Sequence, residues 1–206
     1  MHPEQAEDQV ALIRDVMERT TRFTGLPGAA CLAAGGLALA GAGVAAASGA
    51  DFTGYASGGR HALLAAIWGV TAFLSAAASV ILSLLAARRS GRPAWSALTR
   101  RVVVATLPGL YVGAALTEFA RQSGRLDALP ALWCLAYGAS LLGLGLYAGW
   151  KANVAGLLFL AAGSLALLGI IPGGNLLMAI AFGGIHVLLG ILVLGGSRHA
   201  AEDRLD

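Results

Sequence analysis

The chain has 206 residues, 57% of them hydrophobic and only 12% charged, and its mean hydropathy is +0.74. Soluble domains average roughly one quarter charged residues, so this composition argues against a water-soluble globular fold. A net charge of +3, despite a pI near 9.2, is better read as a topology signal than as a nucleic-acid surface, and no nucleic-acid partner is expected.

Residues 1–27 read as a cytoplasmic amphipathic interfacial helix followed by a hinge. From Glu4 to Arg22, the apolar residues Ala6, Val10, Ile13 and Met17 recur at helical spacing among Glu7, Asp8, Arg14, Asp15, Glu18 and Arg19. Acids lead and arginines trail, the order that the helix dipole favours. Such a helix lies in the headgroup region, held by Arg19, Arg22 and Phe23, or docks a cytoplasmic partner. Its acids are unlike a cleavable signal peptide, so the first apolar run is expected to stay as an anchor. Thr24, Gly25, Leu26, Pro27 and Gly28 then break the helix.

Six apolar runs follow, at 28–48, 62–87, 102–119, 129–150, 152–171 and 175–194, giving a six-helix membrane domain over 28–196 and a cytoplasmic tail over 197–206. At 1.5 Å per residue each run is long enough, or nearly so, to cross a hydrocarbon layer ~30 Å thick. None contains Lys, Arg or Asp, and Glu118 stands at the end of the third. In the first run Ala30, Ala34, Ala38, Ala42 and Ala46 recur every fourth residue. Gly109 and Gly113, and Gly145 and Gly149, are further small-residue pairs of the kind that lets helix backbones approach in lipid. Thr71, Ser75, Ser79 and Ser83 form a polar ladder on the second run; it could line a pathway, but hydroxyls also bond to carbonyls one turn back or to a neighbouring helix, and packing is the expectation. Pro108 predicts a kink in the third run. Trp133 and Trp150 flank the fourth, where indole rings anchor at headgroups. The connections Gly149-Trp150-Lys151 and Pro172-Gly173-Gly174 are short, so the last three helices should pack as antiparallel neighbours. Cys31 and Cys134 fall near opposite faces of the layer, so neither a disulfide nor a metal site is expected.

Charge sets the orientation. Eleven of the fourteen basic residues (Arg14, Arg19, Arg22, Arg88, Arg89, Arg92, Arg100, Arg101, Lys151, Arg198 and Arg204) fall on one side of the six runs. The positive-inside rule places that side, with both termini, in the cytoplasm. Arg19, Arg22, Arg88, Arg89, Arg92, Arg100 and Arg101 are the candidate contacts for a partner or for lipid headgroups.

His186 lies ~17 Å into the last run, close to mid-membrane, where an ionisable group is a functional candidate by default. Ser75, Ser79, Tyr111, Tyr137, Ser140 and Ser164 share its depth and complete a candidate intramembrane polar site. His61, at the outer boundary, is too far along the membrane normal to ligate one haem iron together with His186. No carboxylate sits near the midplane for ion coupling, and Glu118 has Arg121 and Arg125 close by to neutralise it. Hydrolase and nucleotide-binding signatures are missing, so no catalytic residue is assigned.

The segment Ile13-Arg14-Asp15-Val16-Met17-Glu18-Arg19-Thr20-Thr21-Arg22-Phe23, running into a glycine-rich first span, resembles the opening of a family of small, uncharacterised six-span bacterial membrane proteins. Phe182-Gly183-Gly184-Ile185-His186-Val187-Leu188-Leu189-Gly190 is similar to that family's Phe-Gly-x-x-His-x-x-x-Gly element. Pro27 stands where the family would have Ser. The resemblance implies a multi-pass protein of the bacterial inner membrane with no established activity, and draws attention to Arg19, Arg22 and His186.

The expectation is an all-α, polytopic membrane helix bundle of six transmembrane helices behind an N-terminal amphipathic helix. The leading functional reading is a non-enzymatic protein of the lipid bilayer, acting through helix packing or partner contact, as a homo-oligomer or with a cytoplasmic protein. Its alternative is a small-molecule binder or carrier with an intramembrane pocket near His186. A third reading, haem- or quinone-linked redox chemistry at His186, stands behind both, and the sequence itself names no cofactor.

Overall fold

The computed structural model describes Gln9 and residues 27–52, 60–91, 93 and 95–202, with side chains as far as Gly196. The expected N-terminal helix with Arg19 and Arg22 lies outside the described residues, as do Arg92 and the side chains of the tail. The described elements are α1 (Gly28–Ala47), α2 (Arg60–Arg89), α3 (Ala97–Gln122), a 3-10 turn (Leu126–Ala128), α4 (Leu129–Ala148) and α5 (Trp150–Leu167). The last span starts as α6 (Gly174–Met178), passes through a π-helical segment (Ala179–Ile185) and continues as α7 (His186–Glu202). Six helices are long and apolar enough to cross a membrane, and no strand occurs among the described residues.

Two boundaries differ from the hydropathy pattern for local reasons. α3 begins five residues ahead of its apolar run because the Ser96 hydroxyl accepts the Thr99 N–H at 3.1 Å and caps the helix. Trp150 and Lys151, read as turn, are the first residues of α5. Gly149 alone breaks α4 from α5, at φ 87°, a conformation that side-chain-bearing residues rarely adopt.

Glycine brings the inner helices together. A methyl group added at Gly138 of α4 would stand 2.9 Å from the Gly156 carbonyl oxygen of α5, and one at Gly156 would stand 2.9 Å from that of Gly138. α1 and the last span run antiparallel with the same device: Gly28 faces the Gly190 carbonyl at 2.8 Å and Gly35 faces that of Gly183 at 2.9 Å. The glycines on both helices are seven residues apart, two turns, so they share one seam. The alanine ladder of α1 is divided: Ala30, Ala38 and Ala42 are buried, Ala34 is half-buried and Ala46 is exposed. The resulting core gathers Cys31, Cys134, Leu141, Leu144, Phe159, Leu177 and Leu189 from α1, α4, α5 and the last span.

α2 and α3 stand outside this core on separate supports. α3 packs along α4, with Gly113 against the Trp133 ring and the Ser140 hydroxyl donating across to the Thr106 carbonyl at 3.0 Å. Pro108 lies inside α3 and has no N–H for the Val104 carbonyl. α2 packs along α1, where Thr71 meets Gly41, but makes no extended contact with α3, its neighbour in sequence. Leu64 alone is buried among the thirty residues of α2.

A polar knot fastens the Arg60 end of α2. Asp51 accepts the N–H groups of Phe52 (2.7 Å) and Asn175 (3.1 Å), the Asn175 amide donates to the Ala50 carbonyl, and the Trp68 indole donates to Asn175 Oδ1 at 3.2 Å. Beneath it Ala45, Ala50, Phe52, Leu64 and Met178 form a second apolar cluster. The loop after α1, the start of α2 and the start of the last span are thereby joined at one end of the bundle.

Candidate functional site

Because α2 rests on α1 and α3 rests on α4, a trough opens between them. Its floor is α1, α4 and the last span, its walls are α2 and α3, and it encloses a cavity of about 520 Å³. That volume falls within the ~300–1,000 Å³ typical of ligand sites, and the lining is correspondingly apolar with a few placed polar groups. Cys31, Ala34 and Ala38 of α1, Leu141 of α4 and Leu189 of the last span supply much of the greasy surface.

Tyr137 and His186 meet in the floor. The Tyr137 hydroxyl and His186 Nε2 share a hydrogen bond of 2.8 Å, in which the tyrosine donates when that nitrogen is unprotonated. The imidazole is only 8% exposed and sits among rings: Phe182 stacks on it at 6.2 Å between centroids, and Phe159 meets it edge-on at 5.6 Å. Tyr137, Phe159 and Phe182 also touch one another, with centroids 5.0–5.4 Å apart. The π segment feeds directly into His186. Its wide turns are a local departure of a kind found often at functional positions. His186 Nδ1 makes no hydrogen bond of ordinary geometry, although the Phe182 carbonyl one turn back is close enough to interact with the ring.

The α2 wall carries the other polar surface. Thr71, Ser75, Ser79 and Ser83 all line the cavity, and their hydroxyls make no hydrogen bond among the described residues. Of the other hydroxyls, Ser90, Thr106, Thr117, Ser123 and Ser140 each donate to a carbonyl three or four residues back, while Ser164 of α5 makes no hydrogen bond among the described residues. The back-bonding expected of the ladder is therefore not made: the Thr71 hydroxyl lies against Gly41 of α1, and Ser75, Ser79 and Ser83 line the cavity.

Depth alone grouped seven residues, and the structure separates them. His186, Tyr137, Ser75 and Ser79 come to one cavity. Ser140, 3% exposed, is buried at the α3–α4 seam with its hydroxyl on the Thr106 and Ala136 carbonyls. Tyr111, 76% exposed, is on the outer face of α3, and Ser164 is exposed on α5. Arg88, Arg89, Arg100 and Arg101 are exposed where α2 ends and α3 begins. Glu118 is exposed and takes two bonds from Arg121, at 2.6 and 2.7 Å, and one from Gln122.

Several cavity residues carry little sequence signal. Phe182 is one helical turn before His186, a spacing that marks it as a neighbour; Phe159 comes from another helix and has no such mark. Trp133, read as a headgroup anchor, instead lines the trough and donates to Thr117 Oγ1 at 2.9 Å, because Gly113 leaves room for its ring. Cys31 and Cys134 are both free and buried. No group of three His, Cys, Asp or Glu side chains that could hold a metal ion occurs among the described residues.

Chemically, the trough offers a neutral phenol–imidazole pair and a row of hydroxyls on an apolar ground. Such a surface can hold and orient a weakly polar molecule. Comparison of the chain with protein-family models, with curated proteins and with solved structures finds no match.

Proposed function

We propose that the chain is a multi-pass protein of the cell's inner membrane, with cytoplasmic termini, that binds or carries a small, weakly polar, lipid-soluble molecule in the trough beside His186. Lipid as surroundings is supported by the large apolar side chains on outward faces, among them Phe73 and Ile81 of α2, Val104 and Phe119 of α3 and Leu168 after α5. Orientation is supported by the eleven basic residues that share one side of the spans.

One observation carries the binding function: the space beside His186 is hollow, and the hydroxyls on its wall are unbonded. Helix packing alone does not call for a trough of about 520 Å³ with polar groups placed on an apolar lining, whereas a binding site does. Binding is therefore favoured over partner contact as the primary role.

The test fills the trough. Ala76 lines the cavity from α2 and is not itself buried, so Ala76→Trp places a ring in the space without removing core packing. Wild-type protein extracted with its surrounding lipid is expected to release a bound small molecule in native mass spectrometry. Ala76→Trp is expected to melt at an unchanged temperature and to release none. Equal retention by both proteins, or none by either, would overturn the proposal.

A further inference from the structure

We propose that the occupant of the trough is a single-chain lipid with an anionic head, which enters sideways between α2 and α3 and places its head among Arg88, Arg89, Arg100 and Arg101. This rests on the reading of the trough as a binding site and names the ligand's chemical class.

Shape gives the chain. The cavity lining runs along α2 from Leu64 to Ser83, about 28 Å at 1.5 Å per residue, whereas a sphere of 520 Å³ is about 10 Å across. The space is long and narrow, and one extended hydrocarbon chain matches that form where a compact ring system does not. The walls allow lateral entry. α2 and α3 make no extended contact with each other, so the trough faces the acyl chains of the bilayer along its open side.

Charge gives the head. The two ends of the trough are unlike. Near the Leu64 end the exposed charges are already matched: Glu118 with Arg121 at 2.6 Å and Arg125 with Asp127 at 3.2 Å, while Arg60 reaches the Gly49 carbonyl at 3.4 Å. At the Ser83 end Arg88 and Arg89 close α2, Arg100 and Arg101 open α3, and none of the four has an acidic or hydrogen-bonding partner among the described residues. Topology accounts for arginines on this side of the membrane. It does not account for their standing on the ends of the two helices that wall the trough, with Arg88 and Arg89 about 8–9 Å along α2 beyond Ser83. Ser83 and Ser79 line the cavity at the end nearer the arginines, so a head held by guanidinium groups has hydroxyl donors further in.

Trp68 and Trp133 line the trough and report on its contents. In a Trp95→Phe/Trp150→Phe background, mid-chain dibrominated stearate is expected to quench their fluorescence about tenfold more tightly than the matching dibrominated alcohol. Replacing the four arginines together (R88Q, R89Q, R100Q and R101Q) is expected to bring the two lipids within about twofold, with the melting temperature unchanged. Acetate at the same concentration is expected not to displace the stearate. If both lipids bind equally to the parent protein and Ala76→Trp abolishes both, the anionic head is wrong and the trough remains a binding site. Displacement by acetate would reduce the arginines to a free-anion site and overturn the proposal. If neither lipid quenches, both the proposal and the reading beneath it fall.

Discussion

Gly138→Val is expected to be among the most damaging single substitutions in the bundle, lowering stability by about 1–3 kcal/mol or more. The first added carbon alone would stand 2.9 Å from the Gly156 carbonyl oxygen and 3.0 Å from the Leu160 N and Cγ. Two of those three atoms are backbone, so no side-chain rotation relieves the contact and α5 must move away from α4. That seam carries Cys134, Leu141 and Phe159, and opening it disturbs the core and the floor of the trough together. An internal control comes from Gly36, Gly43 and Gly69, where an added methyl meets nothing within 4 Å. Alanine at these three positions is expected to be neutral or to stabilise by about 0.4–1 kcal/mol each, by narrowing the unfolded ensemble. Equilibrium unfolding in mixed detergent micelles measures both sets, and equal effects at Gly138 and Gly36 would contradict the close-approach account.

Tyr137→Phe is expected to destabilise by about 1–3 kcal/mol, although it removes a single oxygen. The loss leaves His186 Nε2 without its 2.8 Å partner, and Nδ1 already has none, so a buried imidazole would keep both nitrogens unsatisfied. His186→Leu should cost a comparable amount by orphaning the tyrosine hydroxyl. The double substitution Tyr137→Phe/His186→Leu removes both polar groups and is expected to be less damaging than the sum of the singles, with a coupling of about 0.5–3 kcal/mol. Strict additivity in the same unfolding measurement would show that the pair does not act as a unit.

The six long apolar helices were legible in the sequence because each run carries almost no charge over a length that would match a membrane's thickness. All six apolar runs lie within or closely overlap a described helix. Their ends were less legible, since Ser96 and Gly149 set them by capping and by backbone conformation rather than by hydropathy. Depth was also legible, and it correctly put Tyr137 and His186 at one level. Azimuth was not. Tyr111 and Ser140 share that depth but point to the outer surface and to a helix seam, because each helix turns about 100° per residue and its neighbours decide which face is inside. The separation of α2 from α3 had no sequence signal either. Short connections suggest adjacency for α4, α5 and the last span, and it holds there; for α2 and α3 no pattern shows that Gly41 offers α2 a seat on α1 and that Gly113 offers α3 one against Trp133.

The broad turns ahead of His186 constrain how this gene product can change over time. A π turn takes about one residue more than an α turn, so taking one residue out of Ala179–Ile185 would let the span tighten into ordinary helix and turn everything beyond it by only about 30° relative to Leu177 and Met178. The same loss from the regular turn before it, Gly174–Met178, would turn the rest of the span by about 100°, swinging His186 off Tyr137 and taking Gly190 from its facing carbonyl at Gly28. Loss of a single residue is therefore absorbed within the π segment, and not in the regular helix before it.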